Sequence, residues 1–117
     1  DIPIQIGNAV THRNNGEVIH SINLVDPQNN YNSLIFPKND TSSSFIVNSW
    51  HHQGLNDLAK GVIVLARSND MLPEAIALDS NLHPFMIAVQ FHPERLGGNN
   101  GISITMRDNF FKAINKK

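Results

Sequence analysis

The spacing of apolar residues changes along the chain and predicts mostly strands. Apolar and polar residues alternate over 17–25, which is typical of a strand with one covered face. Two later segments, 61–68 and 84–91, are almost continuously apolar, as are strands covered on both faces. Shorter apolar runs predict three further strands, at residues 33–36, 45–50 and 74–80.

Helical segments are few. Residues 54–60 are long enough for about two helical turns and are followed by Gly61, a typical C-terminal cap. Residues 103–116 predict an amphipathic helix. Its apolar stripe consists of Met106, Phe110, Ala113 and Ile114. Because two helices give thin cover for such apolar strands, either the strands form half of a sandwich or barrel, or other polypeptide covers them.

Composition limits the class of protein. With 117 residues, of which 40% are hydrophobic, the chain is one globular domain or a piece of one. A net charge of -1 gives no argument for binding nucleic acid or an anionic membrane. No run reaches the roughly 18 apolar residues of a membrane span, and residues 1–10 lack the pattern of a signal peptide. These features favour a cytoplasmic protein.

The absence of cysteine removes several kinds of chemistry from these residues. The sequence contains no Cys, which excludes a disulfide framework, a thiolate metal site and a thiol nucleophile within the 117 residues. No motif in it predicts a cofactor. Any catalytic role must therefore rest on histidine, carboxylate or hydroxyl groups.

The segment VQFHPE, residues 89–94, ends the second apolar run with a titratable pair. In extended backbone, residues i and i+2 project to the same side, so we expect His92 and Glu94 to face one another. The carboxylate would orient the imidazole, and the other ring nitrogen could accept a proton from a nucleophile. Pro93 ends the strand there. A purely structural His-Pro strand end is the alternative, since His83 also precedes a proline.

The segment VNSWHHQG, residues 47–54, carries a second group of polar residues. Adjacent histidines in a strand point to opposite faces, so His51 and His52 share one cavity only if the strand has already turned. A zinc site formed by these two residues and His92 is conceivable, although the spacing lacks an i, i+4 His pair. Ser49 is a poor nucleophile candidate because the G-x-S-x-G elbow is missing.

Three segments, VNSWHHQGL, VIVLARSNDMLPEAIAL and HPFMIAVQFHPE, occur in this order and carry a resemblance. Together they resemble the C-terminal half of the gamma-glutamyl-gamma-aminobutyrate hydrolase (peptidase C26) family, whose members are class I glutamine amidotransferase-like proteins. The resemblance implies an α/β fold, a three-layer sandwich with a mainly parallel central sheet, of which residues 1–117 would be the C-terminal portion. It also implies hydrolysis of gamma-glutamyl amides by a Cys-His-Glu triad.

The family motifs assign roles to individual residues. His92 matches the base of the triad, and Glu94 matches the acid that orients it. Four further residues match a segment near the substrate pocket: Ser49, His51, His52 and Gln53. The resemblance implies no metal and no cofactor.

The sequence departs from the family pattern in two places. Around Asp70, the family tends to have Gly and an aliphatic residue where this chain has Met71 and Pro73. Met is poorly suited to a backbone that Gly would hold at positive φ, so a different turn shape is expected. The larger departure is an absence. The family's nucleophilic cysteine and its elbow lie in the N-terminal half of family members, and this chain contains neither.

Three functional hypotheses remain. The first is the C-terminal half of a gamma-glutamyl hydrolase, paired with its N-terminal half as a separate chain or with a second copy of itself. Apolar strands such as 61–68 and 84–91 need such a cover, because each exposed large apolar side chain forfeits roughly 1.5–3 kcal/mol. The second is a non-catalytic binding or structural protein on the same scaffold. The third is a small metalloprotein that uses histidine ligands.

Overall fold

The computed structural model describes residues 11–13 and 18–115. The strands are β1 (Val18–Leu24), β2 (Ser44–Ser49), β3 (Val62–Ser68), β4 (Pro73–Leu78) and β5 (Ile87–Val89). One α-helix, α1, spans Gly101–Asn115, and two 3₁₀ helices span Asn30–Leu34 and Pro93–Arg95. In the described residues the strands form one sheet, in the order β2-β1-β3-β4-β5. The chain is therefore α/β in content but poor in helix.

Every strand pairing in this sheet is antiparallel, which corrects the expected mainly parallel sheet for these residues. The reason lies in the connections between strands. Only residues 69–72 separate β3 from β4, and residues 79–86 separate β4 from β5. A parallel pair needs a crossover of roughly a dozen residues or more, usually containing a helix. Connections this short allow hairpins and leave no room for a crossover helix between β3, β4 and β5.

Strand β1 has the alternation that its sequence predicts. Val18 and Ile22 are buried, whereas Ile19 and Asn23 on the opposite face are exposed. The buried face contributes to a core whose members come from all parts of the described chain: Ile22, Ile35, Phe36, Val47, Leu65, Ala66, Ala75, Ala77, Phe91 and Ile102. Strand β4 is covered on both faces, because all of its residues from Pro73 to Ala77 are buried.

Two of the predicted elements do not form. Residues 54–60 contain no helix, because a segment of two turns is marginal alone and its Leu55 is 37% exposed. Residues 33–36 form no strand. The Asn29 side chain accepts a hydrogen bond from the Tyr31 backbone and starts a 3₁₀ helix instead. Ile35 and Phe36 nevertheless reach the core, so the apolar run correctly indicated burial.

The strand predicted at 84–91 is present but shorter. Ladder pairing with β4 covers only Ile87–Val89, and the Gln90 backbone adds one more bond, to the Glu74 carbonyl at 2.9 Å. Pro84 cannot donate to a ladder, and Pro93 follows the strand end. The strand therefore stops three residues before His92.

Helix α1 docks at its N-terminal end. The Asn100 side chain caps it by accepting a hydrogen bond from the Ile102 backbone at 2.9 Å, and Ile102 is buried. Further along, the Asn109 amide donates to the backbone carbonyls of Ser33 and Leu34. The helix is thus attached to the first 3₁₀ helix rather than laid across the sheet.

Much of the predicted apolar stripe on α1 is exposed, as are parts of the apolar strands. Phe110 is 53% exposed and Ile114 is 55% exposed, which differs from the expected packing of this stripe. Val62, Ile63 and Val64 at the start of β3 are only partly buried. What covers these side chains in a complete assembly stays a prediction. Within the described ranges, no helix is long and apolar enough to cross a membrane.

The turn between β3 and β4 contains a non-glycine residue at positive φ. Met71 has φ of 72° and is 64% exposed, so its side chain points to solvent while its backbone occupies the left-handed region. The turn is closed by hydrogen bonds from Met71 N to Ser68 O and from Ser68 N to Leu72 O. Met71 thus occupies a positive-φ conformation for which glycine is suited, and a difference in turn shape from the family stays a prediction. This backbone conformation is strained for Met.

The sheet curls until its first and last members meet. Asn48 in β2 exchanges two hydrogen bonds with the backbone of His92, just beyond β5, although β2 and β5 stand at opposite ends of the strand order. This contact brings the VNSWHHQG and VQFHPE segments to the same corner of the molecule.

Candidate active site and buried histidine cluster

His92 and Glu94 form the hydrogen-bonded pair that their spacing predicts. The Nδ1 atom of His92 lies 2.8 Å from Oε1 of Glu94. His92 lies at the end of the extended segment that follows β5. The next residues, Pro93–Arg95, form a 3₁₀ turn that keeps the two side chains on one side. The side chains are 42% and 64% exposed, respectively, so the pair is open to solvent. The geometric expectation is confirmed, whereas the catalytic role stays a prediction.

The pair has a defined proton arrangement. When Nδ1–H of His92 donates to the carboxylate, the lone pair resides on Nε2, which is the atom able to accept a proton from a nucleophile. The hydrogen bond from His92 is the main cause that lowers the pKa of Glu94 below its ordinary value. Glu94 therefore remains an ionised acceptor over the whole neutral range.

The backbone of the pair is held from two directions. Asn48 donates from Nδ2 to the His92 carbonyl at 2.9 Å and accepts from the His92 amide at 2.7 Å. From α1, the Ser103 hydroxyl donates to the Pro93 carbonyl at 2.5 Å. Sequence reasoning did not single out Asn48, although it lies in the VNS motif. Asn48 is buried and acts on His92 through backbone position rather than through chemistry.

An aromatic side chain flanks the pair. The Trp50 ring lies edge-on to the His92 ring, with centroids 5.5 Å apart. The Arg95 guanidinium sits over Trp50 at 5.2 Å from the ring centroid. Trp50 therefore links the end of β2 to the 3₁₀ turn that carries Glu94, and limits how far the imidazole can swing.

Of the four residues expected near the substrate pocket, two are turned inward. Ser49 is fully buried, and its hydroxyl donates to the His12 carbonyl at 2.6 Å. The side chain of His51 is 12% exposed and faces Glu74. Ser49 therefore has an internal partner, whereas His51 both contacts Glu74 and lines the groove described next, so a substrate-binding role for either stays a prediction.

The other two residues face an open groove. His52 and Gln53 are exposed and line a groove of about 600 Å³ together with Trp50, His51, Gly54, Leu55 and Gln90. Trp50 is shared between this groove and the His92 site. A substrate-binding role for His52 and Gln53 stays a prediction, and the groove gives it a location.

A second group of polar side chains is buried in the interior of the protein. Three histidine nitrogens approach one carboxylate oxygen, Oε1 of Glu74. His12 Nδ1 lies at 3.3 Å, His51 Nε2 at 3.3 Å and His20 Nε2 at 3.7 Å. The Glu74 side chain has no solvent exposure, and those of His12 and His20 are 3% and 8% exposed. We call these four residues the histidine cluster.

A ring of outer contacts surrounds the histidine cluster. His12 Nε2 lies 2.7 Å from Oδ2 of Asp70, and Asp70 in turn accepts a hydrogen bond from the Ser68 hydroxyl. Burial tends to raise the pKa of Asp70, but the hydrogen bonds from Ser68 and His12 outweigh it and lower the pKa. For His51, burial tends to lower the pKa, but the contact with Glu74 and the Gln53 carbonyl outweigh it and raise the pKa.

The sequence did not reveal this cluster. The zinc hypothesis combined His51, His52 and His92, but the structure turns His51 to Glu74 and His92 to Glu94, in separate sites. One signal was present. Glu74 stands in the otherwise apolar strand PEAIAL, and a buried carboxylate requires partners. Its partners come from 11–13, β1 and the end of β2, which no local pattern connects.

Comparison with known proteins agrees with the motifs. The sequence profile of the peptidase C26 family matches residues 3–94. A glutamine amidotransferase-like protein of Rickettsia prowazekii is 42% identical over 71 residues, or 61% of this chain and 23% of that protein. Another, from Lactococcus lactis, is 45% identical over 51 residues, or 44% of this chain and 20% of that protein.

A relative with a named activity also matches. Gamma-glutamyl-gamma-aminobutyrate hydrolase PuuD of Escherichia coli is 38% identical over 71 residues, or 61% of this chain and 27% of that enzyme. The matched segments thus span only 20–27% of the lengths of these relatives. The family profile, by contrast, covers more than half of the present sequence. The chain belongs to the peptidase C26 family.

Proposed function

We propose that this chain supplies the base and the orienting acid of a hydrolase acting on gamma-glutamyl C–N bonds. The observation that carries the proposal is the 2.8 Å contact between His92 Nδ1 and Glu94 Oε1 at the open end of β5. Membership of the peptidase C26 family gives the reaction class. In this proposal, residues 1–117 are the C-terminal portion of one glutamine amidotransferase-like domain.

The nucleophile must come from other polypeptide. The 117 residues contain no cysteine, and the family reaction uses a Cys-His-Glu triad. His92 and Glu94 are open to solvent, which leaves space for a thiol to approach Nε2 of His92. The nucleophile would lie on the N-terminal half of the enzyme, present as a separate chain or as part of a longer one.

The chemistry follows from the tautomer of His92. Nε2 accepts the thiol proton, and the thiolate attacks the gamma-carbonyl carbon of the substrate. The resulting imidazolium, held by Glu94, protonates the nitrogen of the leaving amine as the C–N bond breaks and a thioester forms. Nε2 then takes a proton from water, whose oxygen attacks the thioester. When the resulting tetrahedral intermediate collapses, the imidazolium returns the proton to the sulfur and glutamate is released.

The substrate class in this proposal is a small gamma-glutamyl amide. PuuD is named for gamma-glutamyl-gamma-aminobutyrate, and it is 38% identical to this chain over 71 residues. The groove lined by His52, Gln53 and Gln90 adjoins Trp50 beside His92, and this proximity supports a role for the groove in binding the amide. We propose His52 and Gln53 as its polar contacts.

The test uses the complete gene product with a gamma-glutamyl anilide as substrate. We expect His92→Ala to lower kcat by about 10³-fold or more, because general acid–base catalysis contributes roughly 10²–10⁴-fold. His83→Ala is the matched control, since His83 also precedes a proline and is exposed but has Phe85 where His92 has Glu94. Its kcat should be unchanged.

The 117-residue chain by itself should show no hydrolysis, because it supplies no activated nucleophile. Turnover by this chain that His92→Ala abolishes would contradict the proposed division of the triad. A complete gene product that contains no cysteine able to react, and that shows no turnover, would instead indicate a non-catalytic binding or structural protein on the same scaffold.

A further inference from the structure

We propose that the histidine cluster, His12, His20, His51 and Glu74, is a binding site for a divalent transition-metal ion, with Zn²⁺ as the preferred occupant. The site is separate from His92 and Glu94. It is assembled from residues 11–13, β1, the segment after β2, and β4. It does not depend on the proposed hydrolase activity.

The separations of the donor atoms fit tetrahedral coordination. Zinc–nitrogen and zinc–oxygen bonds of roughly 2.0–2.1 Å place neighbouring ligand atoms about 3.3 Å apart. The observed separations from Glu74 Oε1 are 3.3 Å to His12, 3.3 Å to His51 and 3.7 Å to His20. All four donor atoms lie within 4.8 Å of one another. Small side-chain rotations bring them to one ion.

The outer hydrogen bonds give each histidine the tautomer that a metal requires. His12 Nε2 contacts the Asp70 carboxylate, His51 Nδ1 contacts the Gln53 carbonyl at 2.8 Å, and His20 Nδ1 contacts the Ser21 carbonyl at 3.1 Å. These oxygens only accept hydrogen bonds, so each holds the ring proton on the outer nitrogen. The inner nitrogen then presents its lone pair to the centre. Metal-bound histidines are oriented in this way in most known sites.

The same tautomers disfavour a purely hydrogen-bonded cluster. Within the described residues, His12 Nδ1, His20 Nε2 and Glu74 Oε2 are buried without a hydrogen-bond partner. An unpaired polar atom in the interior costs roughly 1–3 kcal/mol. Two of these atoms are the nitrogens that face Glu74. A metal ion would satisfy both nitrogens and the carboxylate together.

The donor set indicates which ion and which role. Three imidazole nitrogens and one carboxylate oxygen suit zinc and its neighbours in the first transition row better than magnesium or calcium, which prefer oxygen ligands. Four protein ligands complete a tetrahedral shell, which leaves no coordination position for a substrate. The site is therefore structural, joining four segments of the chain as a metal cross-link.

The first test uses the 117-residue chain without substitutions. Zinc titration should give one equivalent bound, removed by EDTA, and zinc should raise the unfolding midpoint. Histidine ¹⁵N spectra should show zinc-dependent shifts at Nδ1 of His12 and at Nε2 of His20 and His51. The nitrogens of His83 and His92 should stay unchanged. This combination of one Nδ1 and two Nε2 ligands is specific to the geometry described.

Variants provide the second test. Glu74→Gln and His20→Gln should each raise the zinc dissociation constant by well over tenfold, and Asp70→Asn by about 10–100-fold through loss of the outer contact. His83→Ala should bind as the parent chain does. Cobalt(II) should give the visible absorption of a tetrahedral site in the parent chain and lose it in Glu74→Gln. Far-ultraviolet circular dichroism would check that each variant is folded.

Several results would overturn the proposal. One is the absence of stoichiometric zinc binding by the folded parent chain, which would leave an ion-pair cluster of histidines and Glu74. Another is zinc binding that shifts His83 or His92 instead of the three cluster nitrogens. A third is equal affinity in the parent chain and a folded Glu74→Gln variant.

Discussion

The two polar sites of this chain differ in almost every physical respect. His92 and Glu94 are separated by one residue, lie at the surface and are brought together by local backbone geometry. Glu74 is fully buried, and its histidine neighbours come from three other parts of the chain. The first site is open to another molecule, whereas the second is closed around its own side chains.

This difference predicts different roles for the two sites. An exposed ion pair contributes little to stability, because water and salt screen the attraction in the folded chain and both side chains lose conformational freedom. A buried carboxylate among histidines can exist only if the fold compensates it, so its loss is felt throughout the structure. The open pair is therefore expected to control reactivity, and the histidine cluster to control stability.

The sharpest comparison replaces the carboxylate of each site. In EDTA, Glu74→Gln should lower the free energy of unfolding by about 3 kcal/mol, because buried partners lose their counter-charge. Glu94→Gln should change it by less than about 1 kcal/mol, because that pair is exposed. Urea unfolding followed by fluorescence of Trp50, the single tryptophan, measures both. Equal effects of the two substitutions would remove the distinction between the sites.

Asn48 is buried and holds the backbone of the exposed His92, so its replacement should affect both stability and reactivity. Asn48→Ala removes the two hydrogen bonds to the His92 backbone and should cost about 2 kcal/mol of stability. In the complete enzyme it should also lower kcat more than it changes KM, since His92 loses its position rather than its chemistry.

Asn48→Asp is the matched control for this prediction. It keeps the acceptor for the His92 amide but loses the donor to the His92 carbonyl, so its effect on kcat should be intermediate. An Asn48→Ala enzyme with unchanged kcat would show that His92 needs no such support.

A substitution in the turn that carries Asp70 to the histidine cluster should have a smaller effect on the free energy of unfolding, and of opposite sign. Met71→Gly should stabilise the chain by about 1 kcal/mol, because Met71 has φ of 72°, where side chains are strained. Met71→Ala keeps the strain and should give no gain. If Met71→Gly destabilises the chain, the strained conformation does not describe the turn in solution.

The smallest expected effect is the titration of Glu94. Its pKa should lie below that of an ordinary glutamate, chiefly because of the hydrogen bond from His92, and should return toward the ordinary value in His92→Ala. A carboxylate with a lowered pKa stabilises the fold above its unfolded pKa, and this contribution is lost as pH falls through the folded pKa. Carbon-detected NMR titration in both chains measures the shift. An unchanged pKa in His92→Ala would contradict the pairing.

Local patterns predicted the strands and the open pair, because both depend on neighbouring residues. The alternation over 17–25 gave β1, and the i, i+2 spacing gave the contact between His92 and Glu94. The direction of strand pairing was predicted wrongly from the family resemblance, since short connections make these strands antiparallel. The helix expected at 54–60 failed because no packing partner stabilises it.

The histidine cluster lay beyond the reach of sequence patterns. His12 lies beside Glu74 because its carbonyl accepts hydrogen bonds from the Ser49 hydroxyl and the His51 amide, at the end of β2, while β1, β3 and β4 are neighbours in the sheet. No spacing rule connects residues from four segments. The single available hint was a carboxylate inside an apolar strand, which indicates an unseen partner without identifying it.

The curl of the sheet has a further consequence for how the chain behaves at high concentration. In the described residues, β2 and β5 each lack a neighbouring strand on one side, and such unpaired rows of amides and carbonyls invite pairing between molecules. At one corner, the Asn48 side chain occupies this position, taking both hydrogen bonds that residue 92 could offer to a foreign strand. A single side-chain amide thus occupies the backbone groups of the residue that presents the imidazole, so they are not available for pairing with another molecule.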